Sequence, residues 1–200
     1  MSDAGPESGH ISVQRYFEMG ECGILSPEDR VELLDGLIVA MAPPSPPHDS
    51  VVNHVQYVLL QKLGFHVAIR VQSSFLAGDT SVLQPDIAVV PGRPVNYFRR
   101  HPGQAHLIVE VAQSSVSQDR HTKSAIYARA GVPCYWIVNV RDHCVEVYRE
   151  PDRWKSRYDS LTRATGSDLL AIDAFPDVTF QPDELLPPSL AGDLGDDTPE

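Results

Sequence analysis

Two hundred residues are enough for one domain with a single sizeable core. The chain is 42% hydrophobic and 22% charged, no apolar run approaches the roughly 18 residues of a membrane span, and the polar, acidic N-terminus has no signal-peptide pattern. A net charge of −11 argues against a strong phosphate-tracking groove. That charge is concentrated at the ends, however. Residues 1–10 hold two acids, residues 182–200 hold six, and neither end holds a base, so residues 11–181 keep 19 acids against 16 bases, a net −3. A local basic surface is therefore still compatible with the body. Three cysteines without a C-x-x-C pair argue against a disulfide framework and for a reducing, cytoplasmic location.

Both ends, 1–14 and the acidic, Pro/Gly-rich 182–200, read as poorly ordered, leaving one domain over 15–181. Ser26-Pro27-Glu28-Asp29 has the residue types of a helix start, with Gly36 as its end. Leu37 to Met41 reads as a strand stopped by the cluster Pro43, Pro44, Pro46 and Pro47. A longer helix over 47–63 follows, with Val51, Val52, Val55, Val58, Leu59 and Leu63 on its apolar face and Gly64 closing it. Phe65–Gln72, Phe75–Leu76, Ile87–Val90 and Leu107–Val111 read as strands. A helix over 117–130 ends at Gly131, and a strand pair, Tyr135–Val140 and Cys144–Tyr148, turns at Arg141-Asp142-His143. Helices mixed with neighbouring strands predict an α/β or α+β domain built on a mixed sheet.

Chemistry is signalled by ionisable residues in apolar surroundings. Glu110 interrupts the strand His106-Leu107-Ile108-Val109-Glu110-Val111-Ala112, and Asp86 opens the strand after Gln84-Pro85. On the helix that follows, Asp119, Lys123, Ile126, Tyr127 and Ala130 fall within an arc of about 100°, which turns Lys123 inward one turn from Asp119. Singly, each has a structural explanation: Asp86 caps a turn, Glu110 sits at an edge, Lys123 snorkels to solvent. Jointly, two strand carboxylates and an inward lysine suit metal-assisted phosphodiester hydrolysis, because hard oxygen ligands hold Mg²⁺ while leaving positions for water and phosphate. There is no G-x-S-x-G elbow, no phosphate-binding glycine loop and no H-E-x-x-H, so Ser114 and Ser115 read as loop or capping residues and zinc chemistry is not indicated.

Several ordered blocks resemble the Uma2 family, which is grouped with the PD-(D/E)XK nucleases as restriction-type endonucleases. They are Val31-Glu32-Leu33-Leu34-Asp35-Gly36, Pro43-Pro44-Ser45-Pro46-Pro47-His48, Gln84-Pro85-Asp86, Ile108-Val109-Glu110-Val111, Ser114-Ser115, and Lys123 through Pro133. The resemblance spans roughly residues 15–181. It implies a restriction-endonuclease-like core, a central mixed sheet flanked by helices, acting on DNA with Mg²⁺ or Mn²⁺. Asp86 then matches the Pro-Asp aspartate and Glu110 the second acid, both binding metal with the Val111 carbonyl. The lysine that the superfamily places two residues after that acid is Ala112 here, and Lys123 occupies the helix position thought to substitute for it. Glu32 resembles the accessory acid of the superfamily's first helix, with a solvated helix acid beside Asp35 as the alternative. His48 matches a motif position from which it could reach phosphate or metal-bound water, or simply pack the helix start. Gln72 can face the site from its strand. Homodimerisation follows by analogy with nucleases that cut both strands. Two rivals stand beside endonuclease activity: a binding module that keeps the fold without turnover, and hydrolysis of another phosphodiester.

Overall fold

The computed structural model describes residues 10–26, 28–113 and 116–186. The disorder expected for residues 1–9 and 187–200, Pro27 as a first helical residue, and the loop reading of Ser114 and Ser115 lie outside those residues. In chain order come α1 (Val13–Glu21), β1 (Val31–Leu34), β2 (Leu37–Ala40), α2 (Pro46–Leu63), β3 (Ala68–Val71), β4 (Phe75–Leu76), β5 (Val82–Leu83), β6 (Ile87–Val90) and β7 (Leu107–Ala112). After β7, α3 (Val116–Gln118), a π-helical turn (Asp119–Lys123) and α4 (Ser124–Ala130) form one continuous helical passage. It is followed by β8 (Cys134–Asn139), β9 (Cys144–Asp152), β10 (Arg157–Ala164), β11 (Leu170–Ile172), β12 (Phe175–Phe180) and α5 (Pro182–Leu185).

Six strands in the order β10-β9-β8-β7-β6-β3 make the central sheet, as a mixed α/β reading requires. Only β7 and β8 pair in parallel. Both are buried along their whole length, which is why they read as near-continuous apolar runs in the sequence. One face of the sheet packs on α2, β11, β12 and α5, with Trp136 edge-on to Phe180 at 5.6 Å between centroids. The α2 helix starts where Ser45 Oγ accepts the His48 N–H, its first turn uses Pro46 and Pro47, and the expected six apolar residues are buried. The other face packs on α4 and on a four-stranded sheet, β2-β1-β5-β4, through Phe75, Tyr127, Tyr135 and Tyr148.

The helix expected between Ser26 and Gly36 is instead a turn followed by a β-hairpin. Asp29 accepts the Ser26 N–H through Oδ2 and donates its own N–H to the Ser26 carbonyl, so the capping residues close a local turn. The hairpin loop Asp35-Gly36 has φ of 50° and 79°, the left-handed pair that matches strand twist in a two-residue connection. Leu33 pairs with Ile38 in β2 and with Val82 in β5, and this tertiary pairing overrides the local helix signal. Several other elements went unread: α1, β5, β10, β11, β12 and α5. Helix α1 carries an apolar stripe of Val13, Tyr16 and Phe17 that is only half-buried, and β10 is mostly exposed up to a buried Ala164. The ordered core also runs past both composition boundaries: α1 begins at Val13, and Leu185 and Leu186 are buried after residue 181.

Glycine substitutions separate fit from propensity. An added Cβ at Gly36 would lie 2.7 Å from the His10 Cβ and 3.0 Å from its Cα, at a left-handed φ. Gly36→Ala is expected to lower stability by about 1–3 kcal/mol. Gly20, near the end of α1, meets nothing within 4 Å. Gly20→Ala should raise stability by roughly 0.5–1 kcal/mol. Chemical denaturation of both variants tests the opposite signs.

Candidate active site

Alternation along the strands decides which side chains meet. Ala88 and Val90, Ile108 and Ala112, and Tyr135 and Ile137 all belong to the packing layer shared with α4 and the small sheet. Asp86 and Glu110 share that parity and emerge on the same face, Asp86 just before β6 and Glu110 within β7. Asp86 is fixed from several sides. Its Oδ2 accepts the Val111 N–H at 2.8 Å and lies 3.2 Å from His48 Nε2 at the start of α2. Its Oδ1 lies 3.5 Å from Gln72 Nε2, and its carbonyl accepts the Gln72 N–H at 3.1 Å. Gln72 holds a positive φ of 43° to do so, a backbone strain placed at the site.

Glu110 is 3% exposed. Its Oε1 accepts from Lys123 Nζ at 3.0 Å and from the Tyr127 hydroxyl at 2.9 Å. Lys123 also lies 3.8 Å from Glu32 Oε2 and 3.8 Å from Asp119 Oδ1. The inward arc read from the helix therefore places Asp119, Lys123, Ile126 and Tyr127 in the interior, with Ala130 half-buried. Glu32 does not sit on a first helix and is not solvated. It is buried in β1, and its Oε1 accepts the Gln84 N–H at 2.7 Å. The strand reading corrects the helix reading, and it joins Glu32 to the carboxylates around Lys123. Ala112, two residues beyond Glu110, is fully buried on the face from which Glu110 projects.

Three carboxylates thus surround one ammonium. Burial drives the Glu110 carboxyl well above the usual carboxylate range; Lys123 draws it down, and Asp86, Asp119 and Glu32 push it up again. For Lys123, burial favours the neutral amine, but Glu110, Glu32 and Asp119 outweigh it and raise the pKa, so the ammonium stays charged. The hydrogen bond to Asp86 raises the His48 pKa against the opposing effect of burial. Tyr127, on the inward arc but readable only as a core aromatic, holds Glu110 through its hydroxyl. Burial and then the Glu110 charge lift that hydroxyl well above its ordinary pKa.

Asp86, Glu110, Lys123, Asp119, Glu32 and His48 line a cleft of about 220 Å³, with Tyr127 buried behind it. The donor set suits a hard divalent cation. Asp86 and Glu110 offer carboxylate oxygens on the same face, and the surrounding carboxylates outnumber the single ammonium. Among the described residues no group of three or more His, Cys, Asp or Glu side chains is placed to hold a metal ion.

The family model described as "Putative restriction endonuclease", Uma2, matches residues 13–186. The chain belongs to the Uma2 family. No curated protein matches it. Among solved structures, one described as "a putative nuclease belonging to DUF820 from Anabaena variabilis ATCC 29413" superposes with a TM-score of 0.69 at 17% identity, over 88% of this chain and 97% of that one. At that identity the likeness establishes the fold: a central mixed sheet flanked by helices. Among the described residues of this Uma2 chain no helix is long and apolar enough to cross a membrane, and Cys22, Cys134 and Cys144 are free thiols.

Proposed function

We propose that this Uma2 chain is a Mg²⁺- or Mn²⁺-dependent endonuclease that hydrolyses DNA phosphodiester bonds in the cytoplasm. The observation that carries the reading is the placement of Lys123 Nζ 3.0 Å from Glu110 inside the cleft that Asp86 also lines. Asp86 and Glu110, with the Val111 carbonyl, would hold a metal that polarises a phosphate oxygen and lowers the pKa of a bound water. Everything else is done by the chain's own groups. The Val111 N–H, His48 and Gln72 fix the Asp86 carboxylate in one orientation. The Tyr127 hydroxyl does the same for Glu110. Lys123, kept protonated by its neighbours, offers a positive charge to the phosphate oxygens as negative charge builds on them, and donates to the attacking water. Glu32 is the accessory acid: from β1 it adds a second carboxylate beside the ammonium, 3.8 Å from Nζ, behind Glu110 at 3.0 Å.

A substrate panel tests this reading. Supercoiled plasmid, linear duplex, single-stranded DNA, RNA and cyclic dinucleotides are incubated with the wild type in Mg²⁺, in Mn²⁺ and in EDTA. The expected result is metal-dependent cutting of DNA. Turnover of RNA or a cyclic substrate alone would replace DNA with another phosphodiester. No turnover on any substrate, together with no metal affinity, would favour a binding module, the reading for which Ala112 and the mild acidity of residues 11–181 speak. Homodimerisation is part of the proposal for duplex cutting, and sedimentation in the presence of duplex DNA measures it.

A further inference from the structure

The sheet carries a second buried acid that the site does not use. Glu146, in β9, is 3% exposed. It stands in one row with Glu110: Glu110 pairs with Ile137 across β7–β8, and Ile137 pairs with Glu146 across β8–β9. Paired residues project to the same side, so Glu110 and Glu146 rise from one face two strands apart, at roughly 10 Å for a strand spacing of about 4.8 Å. Each takes a cation from the same π-helical turn. Lys123 reaches Glu110, and Arg120, three residues earlier, donates to Glu146 from Nε at 2.8 Å and from a terminal guanidinium nitrogen. The Glu146 carboxylate is itself braced by Asn139 Nδ2 at 3.4 Å and the Tyr148 hydroxyl at 3.3 Å.

The turn needs such bracing. A π-helical turn inserts a residue into the helix and loosens the regular backbone ladder, and such turns cluster at functional sites. Here side chains add to the ladder: the Asp119 carbonyl accepts the Ser124 N–H and also the Tyr135 hydroxyl at 3.2 Å, and Ser124 Oγ donates to the Arg120 carbonyl at 2.6 Å. The Tyr135 hydroxyl ties the first residue of the turn to β8 through a single hydrogen bond, which leaves the turn's angle across the sheet to a second anchor. The fork between Arg120 and Glu146 supplies that constraint, because a planar guanidinium bound through two nitrogens fixes angle as well as distance.

We propose that Arg120 and Glu146 are positioning residues: their ion pair docks the π-helical turn on β9 and thereby sets Lys123 over Glu110. The proposal rests on the reading of Lys123 as a group acting in the cleft. It predicts that the pair matters for the rate although neither residue touches the reacting atoms.

The test uses Glu146→Gln, Arg120→Gln and Arg120→Lys in the full chain, with two readouts. In metal-dependent cleavage, Glu146→Gln and Arg120→Gln should lower kcat about 10- to 100-fold with KM within about twofold, the scale of a misplaced reacting group. Arg120→Lys should recover part of that loss. In hydrogen exchange, amide protection of residues 119–124 should fall in both Gln variants while β7 and β8 keep wild-type protection. That second arm does not need turnover, so it judges the docking even if the nuclease reading fails. A folded Glu146→Gln protein with wild-type kcat would overturn the positioning role. Unchanged protection across 119–124 would overturn the docking itself. Uniform loss of protection through β7 and β8 in both Gln variants would also overturn the proposal, since the pair would then hold the fold and not the turn.

Discussion

A Lys123→Met protein is expected to lose roughly 3–5 kcal/mol of stability at pH 7, along with its activity. The methionine fills most of the volume, so the loss is electrostatic. Glu110, Glu32 and Asp119 face the ammonium at 3.0, 3.8 and 3.8 Å, and removing it takes that positive charge away from three buried acids. Glu110, already pushed upward by burial and by the neighbouring carboxylates, loses its largest lowering influence. Acids whose folded pKa lies above the unfolded value contribute full stability below the unfolded pKa and lose it as pH rises through the folded one. The gap between wild type and variant should therefore be small near pH 4 and open as pH climbs to 7 and beyond. Urea denaturation across that range measures it. A pH-independent gap would mean that packing, not charge, dominates the position. Restoring neutrality in Lys123→Met/Glu110→Gln should recover part of the stability but none of the cleavage, which separates the two roles of the lysine.

Asp86→Asn is expected to behave in the opposite way, folding normally while losing function. The amide oxygen can still accept the Val111 N–H that ties Asp86 to the edge of the cleft, so the local backbone keeps its partner. What disappears is a hard anionic oxygen. Turnover should fall by more than the roughly 10- to 100-fold that removal of a supporting residue costs around a metal. Mn²⁺ affinity, read by electron paramagnetic resonance, should fall with it. A variant that binds Mn²⁺ as tightly as the wild type would remove Asp86 from the proposed ligand set. His48 should lose its main source of raised pKa in the same variant, and its imidazole should titrate lower by NMR.

Some of this was legible in the sequence because burial writes clear patterns. β6 to β9 are buried on both faces or nearly so, and such strands read as apolar runs in which Glu110 stands out. The helix after β7 showed its inward arc because Lys123, Ile126 and Tyr127 are one face of it. The hairpin of β1 and β2 was illegible because its deciding contacts are non-local: Leu33 meets Val82 nearly fifty residues on, whereas Ser26 to Asp29 carry only local capping chemistry. Glu32 consequently changed from a helix acid to a buried strand acid. Glu146 interrupts an apolar strand just as Glu110 does, so its burial could have been read; its partner Arg120 could not, because the inserted residue of the π-helical turn leaves no mark in the periodicity.

The most direct measurement is single-turnover cleavage of a supercoiled plasmid by the wild type and by Asp86→Asn, purified side by side, with Mg²⁺, Mn²⁺ or EDTA. Metal-dependent nicking or linearisation by the wild type, abolished by EDTA and absent from Asp86→Asn, is the predicted result. Equal cutting by both proteins would contradict the account, because the activity would then arise outside the Asp86–Glu110–Lys123 cleft.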